Sequence, residues 1–427
     1  MSSKKIAIIG SGISGLACGN MLLERGIKPI LFEKDLSYGG LISCSFENGN
    51  LFHKVGGHVF NSKNNEVLNW FWKHFSREKE FLKASRNAVI FLNRKFINYP
   101  IELNLKQLDI KITKSIIKDL VEIVHTKDLN ERNNDNLHQF LKNNFGKTLF
   151  SLYFEKYNKK IWKTDLKKIP IDWLEGKLPM IDPINILLQN ITSSQIDNMV
   201  HTTFYYPVEG GSQFIADRLA KNLNIKNNNI SKIHYNNNKL FLNNKNQPFD
   251  YLIYTGDCRD LEILLGNKLI RTLNLQKNIH DLGSFKSNST TTVLCECNKN
   301  DYSWIYLPEE EFKAHRIIMT GNFSEKNNNS KLEKNRITCT VEYSSLTKKE
   351  DILSDLPNLP FNLKPIAFNY SKNSYIIHDK NTRKTISELK KKLESIGIFF
   401  CGRFAEWQYF NMDKAIESAF FICNKIK

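Results

Sequence analysis

Gly10, Gly12 and Gly15 stand in a G-x-G-x-x-G spacing, directly after the apolar run Lys5–Ile9 and directly before a helical pattern that Gly26 closes. Each glycine has its own task in holding a dinucleotide. Gly10 permits the tight turn, Gly12 admits a pyrophosphate to the backbone, and Gly15 lets helix and strand pack closely. The helix N-terminus then offers free N–H groups and the positive end of its dipole to phosphates. A second apolar strand, Pro29–Phe32, ends on Glu33, placed to accept hydrogen bonds from a ribose. Ser14 inside the turn, and Lys34, Gly40 and Leu41 after the second strand, complete the candidate cofactor contacts on this side. A secretory signal would also put Lys4–Lys5 before an apolar stretch, but the glycine spacing and the strand that follows speak against it.

Further residues able to do chemistry lie far downstream. Adjacent glycines precede a histidine in Val55–Gly56–Gly57–His58–Val59–Phe60, a pattern that brings backbone close to something flat or bulky. Pro207–Val208–Glu209–Gly210–Gly211–Ser212 is another glycine turn ahead of a helix, Gln213–Leu223. The buried strand Asp250–Tyr254 ends in Thr255–Gly256, where a doubly wound sheet would meet the cofactor a second time. Ile398–Cys401 is followed directly by Gly402–Arg403, and a last helix runs from about Met412 to Lys425 with Asn411 as its N-cap. Tyr153 and Tyr157 are i, i+4 and can face one pocket.

These groups need a scaffold, and the composition supplies one. With 427 residues, 41% hydrophobic and 11% aromatic, the chain can bury a core and build two or three structural units. No apolar stretch approaches the ~18 residues of a membrane span, so no transmembrane segment and a cytoplasmic location are expected. Eight scattered cysteines fit reduced thiols. The pair Cys295 and Cys297 alternates onto one strand face and reads as packing; no metal site is expected. The net charge of +17 favours acidic partners, but lysines spread evenly among asparagines speak against nucleic acid.

Strand–turn–helix units open and close the chain, with other material inserted between. The expected class is therefore α/β: a Rossmann-like dinucleotide-binding domain with an inserted helical domain and an antiparallel β-sheet domain. The boundaries are 1–85 plus 200–265 plus 395–427 for the first, 101–195 for the second, and 86–100 plus 266–394 for the third. Asn224–Asn246 reads as short surface hairpins.

Taken together, the stretches resemble one family, the UDP-galactopyranose mutases. The matches are the N-terminal fingerprint, Gly56–Phe60, Tyr157–Trp162, Pro207–Gly211, Tyr254–Gly256, and Gly402–Arg403–Phe404–Ala405–Glu406–Trp407–Gln408–Tyr409–Phe410–Asn411–Met412. The last is the most specific. The resemblance implies FAD as cofactor, active when reduced, with NAD(P)H as external reductant, and a nucleotide-sugar substrate in a surface-polysaccharide route. It implies that reduced flavin, through its N5, attacks the anomeric carbon, so that the sugar ring can open and reclose between pyranose and furanose. It also leaves a homodimer open. Residue by residue it implies a base-binding cluster of Tyr153, Phe154, Tyr157 and Trp162. The diphosphate and sugar contacts would be Arg316, Tyr375, Tyr409 and Asn411. Gly57 and His58 would lie beside the flavin ring, with Gly256, Arg403 and Met412 also at the FAD.

Some positions depart from the family pattern. The second diphosphate arginine is matched best by Lys177, in Lys177–Leu178–Pro179, which keeps the charge but loses the fork. Asn411 stands where aspartate is usual, and Asn61 where many members have a second histidine. A redox flavoprotein of the amine-oxidase and desaturase type is the rival reading, and a non-catalytic flavin-binding protein a third.

Overall fold

The computed structural model describes residues 4–126, 134–171, 182–192, 203–243 and 246–426; Lys177 lies outside them. Among the described residues a five-stranded parallel sheet runs in the order Ile398–Phe400, Tyr251–Tyr254, Ile6–Ile9, Ile30–Glu33, Asn224–Asn227. Its central strands are covered on both faces, which is why they read as continuous apolar runs. Helices Ile13–Glu24, Gly211–Ala220 and Met412–Lys425 pack on one face through Leu16, Leu22, Ile215, Ile416 and Ile422. The N-terminal and C-terminal helices lie side by side, so both ends of the chain belong to one layer. Asn224–Asn227 forms the edge strand of this sheet, in register with Ile30–Glu33, and the hairpin follows it at Ile233–Leu242. Its polar sequence disguised it because an edge strand needs no apolar faces.

The second sheet has the order Lys364–Ile377, Lys286–Asn298, Arg336–Tyr343, Arg316–Ile318, Trp304–Tyr306, Ala88–Leu92, Lys95–Asn98. It is antiparallel except where Trp304–Tyr306 pairs with Ala88–Leu92 in parallel. That exception follows from connectivity, since the hairpin Ala88–Asn98 comes from a distant part of the chain and joins through a long crossover. Lys364–Ile377 is the outer strand, and there Pro365 is tolerated.

The insert is helical: Ile110–Thr126, Leu137–Leu149, Glu155–Trp162 and Pro183–Thr192. From Leu137 to Trp162 the chain stays helical with two irregularities. Gly146 takes φ +80°, Asp119 accepts a hydrogen bond from the Thr148 amide at 2.7 Å, and Phe150–Phe154 forms one π-helical turn. A Cβ on Gly146 would lie 2.6 Å from that of Asp119. Helices Leu261–Thr272, Gln276–Leu282 and Thr382–Glu394 bury Leu261, Leu265, Ile279, Leu389 and Leu393 with Leu252, Tyr254 and Phe400. Their packing attaches them to the parallel sheet, although the 266–394 boundary puts most of these residues with the antiparallel one. No helix of the described residues is long and apolar enough to cross a membrane.

Candidate active site

The glycine turn builds a cradle at the carboxyl end of the parallel sheet. Gly10 has φ +98°, and a Cβ there would stand 2.3 Å from Oγ1 of Thr255, which itself donates to the Ile9 carbonyl at 2.8 Å. A Cβ on Gly15 would meet the Gly10 carbonyl oxygen at 2.1 Å, so helix and turn touch only because glycine is there. Gly12 bridges Gly39, and the Gly39 amide donates to the Ser11 carbonyl at 2.9 Å. Gly40 follows at φ +56°, against Gly12. Glu33 accepts from the amide and hydroxyl of Ser11 at 2.7 and 2.6 Å, so it closes the turn and keeps acceptor capacity for a ribose. Ser14 meets Gly402 across the cradle; Lys34 is exposed and Leu41 half-buried. A narrow, glycine-lined groove with helical N–H groups at its end fits the pyrophosphate of FAD.

A cavity of about 230 Å³ is lined by Gly56, Gly57, His58, Arg316, Glu342, Tyr375, Arg403, Tyr409, Asn411 and Met412, with Asn61, Arg86, Trp304 and Tyr306 among its other walls. Sheet register explains its charged centre. Arg316 and Glu342 are directly opposed on neighbouring strands. Nε of Arg316 donates to Glu342 at 2.7 Å and its guanidinium donates to the Tyr375 hydroxyl at 2.9 Å. Tyr375 in turn donates to Glu342 at 2.7 Å. Glu342 has no solvent exposure. Burial pushes its carboxyl up, but Arg316, His315 and the Tyr375 hydroxyl outweigh that and hold it below the usual carboxylate value. Burial also drives Tyr375 well above the ordinary phenol value, so it keeps its proton.

The loop carrying His58 is tied to the sheet, because the Lys54 carbonyl accepts from Thr292 Oγ1 and Asn369 Nδ2, both at 2.7 Å. Gly56 takes φ +66°, and a Cβ there would approach the Arg316 guanidinium to 3.5 Å. Gly57 packs on Ile318. Burial, with Arg403 and Arg316 nearby, lowers His58 to about 4, so its imidazole is neutral at pH 7. Its Nε2 is buried without a partner among the described residues, ready for a ligand. Arg403 donates to the carbonyls of Phe410 and Ser374 and lies 4.6 Å from the Tyr409 ring centre, clamping the C-terminal loop to the outer strand. Asn411 occupies the N-cap position of the last helix, but its side chain makes no capping bond; it faces the cavity instead.

The aromatic cluster stands one layer further back. Tyr153 and Tyr157 stack at 5.5 Å, Tyr157 meets Tyr306 at 5.4 Å, and Trp162 meets Tyr375 and Tyr409 at 6.2 and 6.1 Å. None of these three lines the cavity itself, and Phe154 is turned into the helical core against Phe145. Helical spacing identified the shared face but not the layer. Sequence reasoning also passed over Glu342, Arg86, Trp304, Tyr306 and the buried Lys160. Lys160 donates to the Leu307 and Ala314 carbonyls at 2.7 and 3.2 Å and joins the helical insert to the sheet. For Glu342 a signal existed: it is the one acid in a fully buried strand, Arg336–Tyr343, and a buried charge calls for a partner.

Comparison with known proteins finds relatives of the same overall fold. Residues 8–75 match the model of the NAD(P)-binding Rossmann-like domain. The dTDP-fucopyranose mutase of Escherichia coli is 23% identical over 97% of this chain and 96% of its own length. The UDP-galactopyranose mutase of Mycoplasma genitalium is 23% identical over 97% of this chain and 93% of its own. A crystal structure of reduced UDP-galactopyranose mutase superposes with a TM-score of 0.85 at 20% identity, covering 99% of this chain and 95% of that one. The chain resembles the UDP-galactopyranose mutases along its whole length. The likeness includes both the sheet that carries Arg316 and Glu342 and the helical insert.

Proposed function

We propose that the protein is an FAD-dependent mutase that interconverts pyranose and furanose forms of a nucleoside-diphosphate sugar. The observation that carries this reading is the Arg316–Glu342–Tyr375 centre in a cavity also lined by Arg403, whose neighbour Gly402 packs on Ser14 of the cradle. FAD, when bound and reduced, supplies a nucleophile for the anomeric carbon without net turnover of electrons. The remaining N–H groups of Arg316 face the diphosphate and stabilise it as it leaves, while Glu342 and Tyr375 fix the plane of the guanidinium. His58, neutral, hydrogen-bonds beside the reacting centre. Tyr306, Trp304, Tyr375 and Tyr409 exclude water around the sugar. Lys177 adds charge to the diphosphate, Tyr157 and Trp162 support the pocket for the base, and NAD(P)H serves as reductant. The named relatives differ in both nucleotide and sugar, and Asn411 and Asn61 stand where such a difference would be read.

Anaerobic incubation with UDP-galactopyranose and dTDP-fucopyranose, with and without dithionite, tests the proposal. Conversion only in the reduced state is expected. Turnover by the oxidised protein with peroxide formation would place it with the redox flavoproteins instead.

A further inference from the structure

Arg86 has no role in the scheme above, yet it reaches the same cavity. It precedes the Ala88–Leu92 strand and lies beside Trp304 and Tyr306. Its guanidinium donates to the Tyr306 hydroxyl and sits 5.1 and 5.2 Å from the ring centres of Tyr99 and Trp304. Its Nε is buried without a hydrogen-bond partner, and no carboxylate pairs with it among the described residues. The other two guanidinium groups of the cavity already have protein acceptors: Arg316 has Glu342, and Arg403 has main-chain carbonyls.

A guanidinium drawn out of water costs several kcal/mol unless a counter-charge or a full set of acceptors meets it. Orphaned buried donors are rare in native structures. Here the aromatic rings cover the flat faces and leave the edge of the fork for a ligand. A planar fork matches a planar or tetrahedral oxyanion with two parallel bonds. Tyr306, which accepts from Arg86, retains its own proton to donate to the same group. Tyr306 is also the register partner of Arg316, so the two cations flank one tyrosine.

We propose that Arg86 and Tyr306 form a second oxyanion subsite in this cavity, beside the Arg316–Tyr375 centre, which grips a negatively charged oxygen group of the nucleotide sugar. The inference rests on the nucleotide-sugar reading of the cavity. The oxyanion has two possible sources, the diphosphate itself or a carboxylate on the sugar.

Calorimetric titration of the oxidised, FAD-loaded protein with UDP, UDP-galactose and UDP-galacturonate distinguishes them. Arg86→Gln is expected to weaken binding about tenfold or more while retaining flavin. A loss shared by all three ligands assigns the subsite to the diphosphate; a loss confined to UDP-galacturonate assigns it to a sugar carboxylate. Arg86→Lys, which keeps the charge and serves if the glutamine variant fails to fold, should bind between the two. Wild-type affinity for all three ligands, or a variant that sheds its flavin, overturns the proposal. Arg316→Lys runs in parallel. If it weakens binding and Arg86→Gln does not, only the second subsite is lost; if neither matters, the nucleotide-sugar site itself is misplaced.

Discussion

The two halves of the site are built on opposite plans. The cradle is made of backbone: Gly15 closes on Gly10, Gly12 closes on Gly39 and Gly40, and its one acid, Glu33, serves to close the turn. The cavity is made of side chains from separated segments, held by an ion pair without solvent exposure on the acid and by stacked rings. The first plan tolerates almost no added atom. The second tolerates changes of shape but no loss of charge balance. A cofactor can thus be retained unchanged while the substrate contacts diverge.

That contrast can be broken most severely at Gly15. Gly15→Val should abolish flavin binding and most soluble protein, because its Cβ would lie 2.1 Å from the Gly10 carbonyl oxygen; flavin absorbance of the purified protein reads this out. Next comes the buried pair. Arg316→Ala should lose activity yet keep flavin. It should also destabilise the fold by roughly 3–5 kcal/mol, because Glu342 is left buried and unpaired. Urea unfolding alongside flavin content separates the two effects, and unchanged activity would remove Arg316 from the site. Glu342→Gln should be milder, lowering activity by about tenfold to a hundredfold, since a freed Arg316 loses its fixed plane but not its charge.

Protonation tests the packing around both halves. His53 bonds to Tyr206 at 2.7 Å, His315 to Ser344 at 2.9 Å, and burial lowers each from 6.5 to about 3. Between those values the unfolded chain binds more protons, so stability present above pH 6.5 should drain away as pH falls toward 3. His53→Gln should flatten part of that slope in denaturation midpoints measured across pH; an unchanged slope would mean that the ring is not buried neutral. The smallest effect is expected at Tyr157→Phe. The hydroxyl is dispensable to the ring stack with Tyr153 and Tyr306, and substrate affinity should change by less than about 1 kcal/mol.

By itself the sequence determined the cradle, since turn, helix start and strand end are local events that neighbouring residues dictate. Glycine spacing followed by a helix and then Glu33 specifies a geometry with little room for alternatives. The same locality made four of the five parallel strands and the closing helix at Met412 legible as apolar runs and a 3.6-residue period, while the polar edge strand Asn224–Asn227 escaped it. Only the tertiary structure decided the cavity. Arg316 and Glu342 become partners through strand register, 26 positions apart in the chain. Arg86 and Tyr306 meet across 220 positions through a parallel pairing that local pattern does not announce. Which aromatic residue forms the wall and which stands behind it depends on how the helical insert is seated on the sheet. A side chain's type announces what it can do, but its partners are set by long-range packing, and in this cavity the chemistry belongs to the partners.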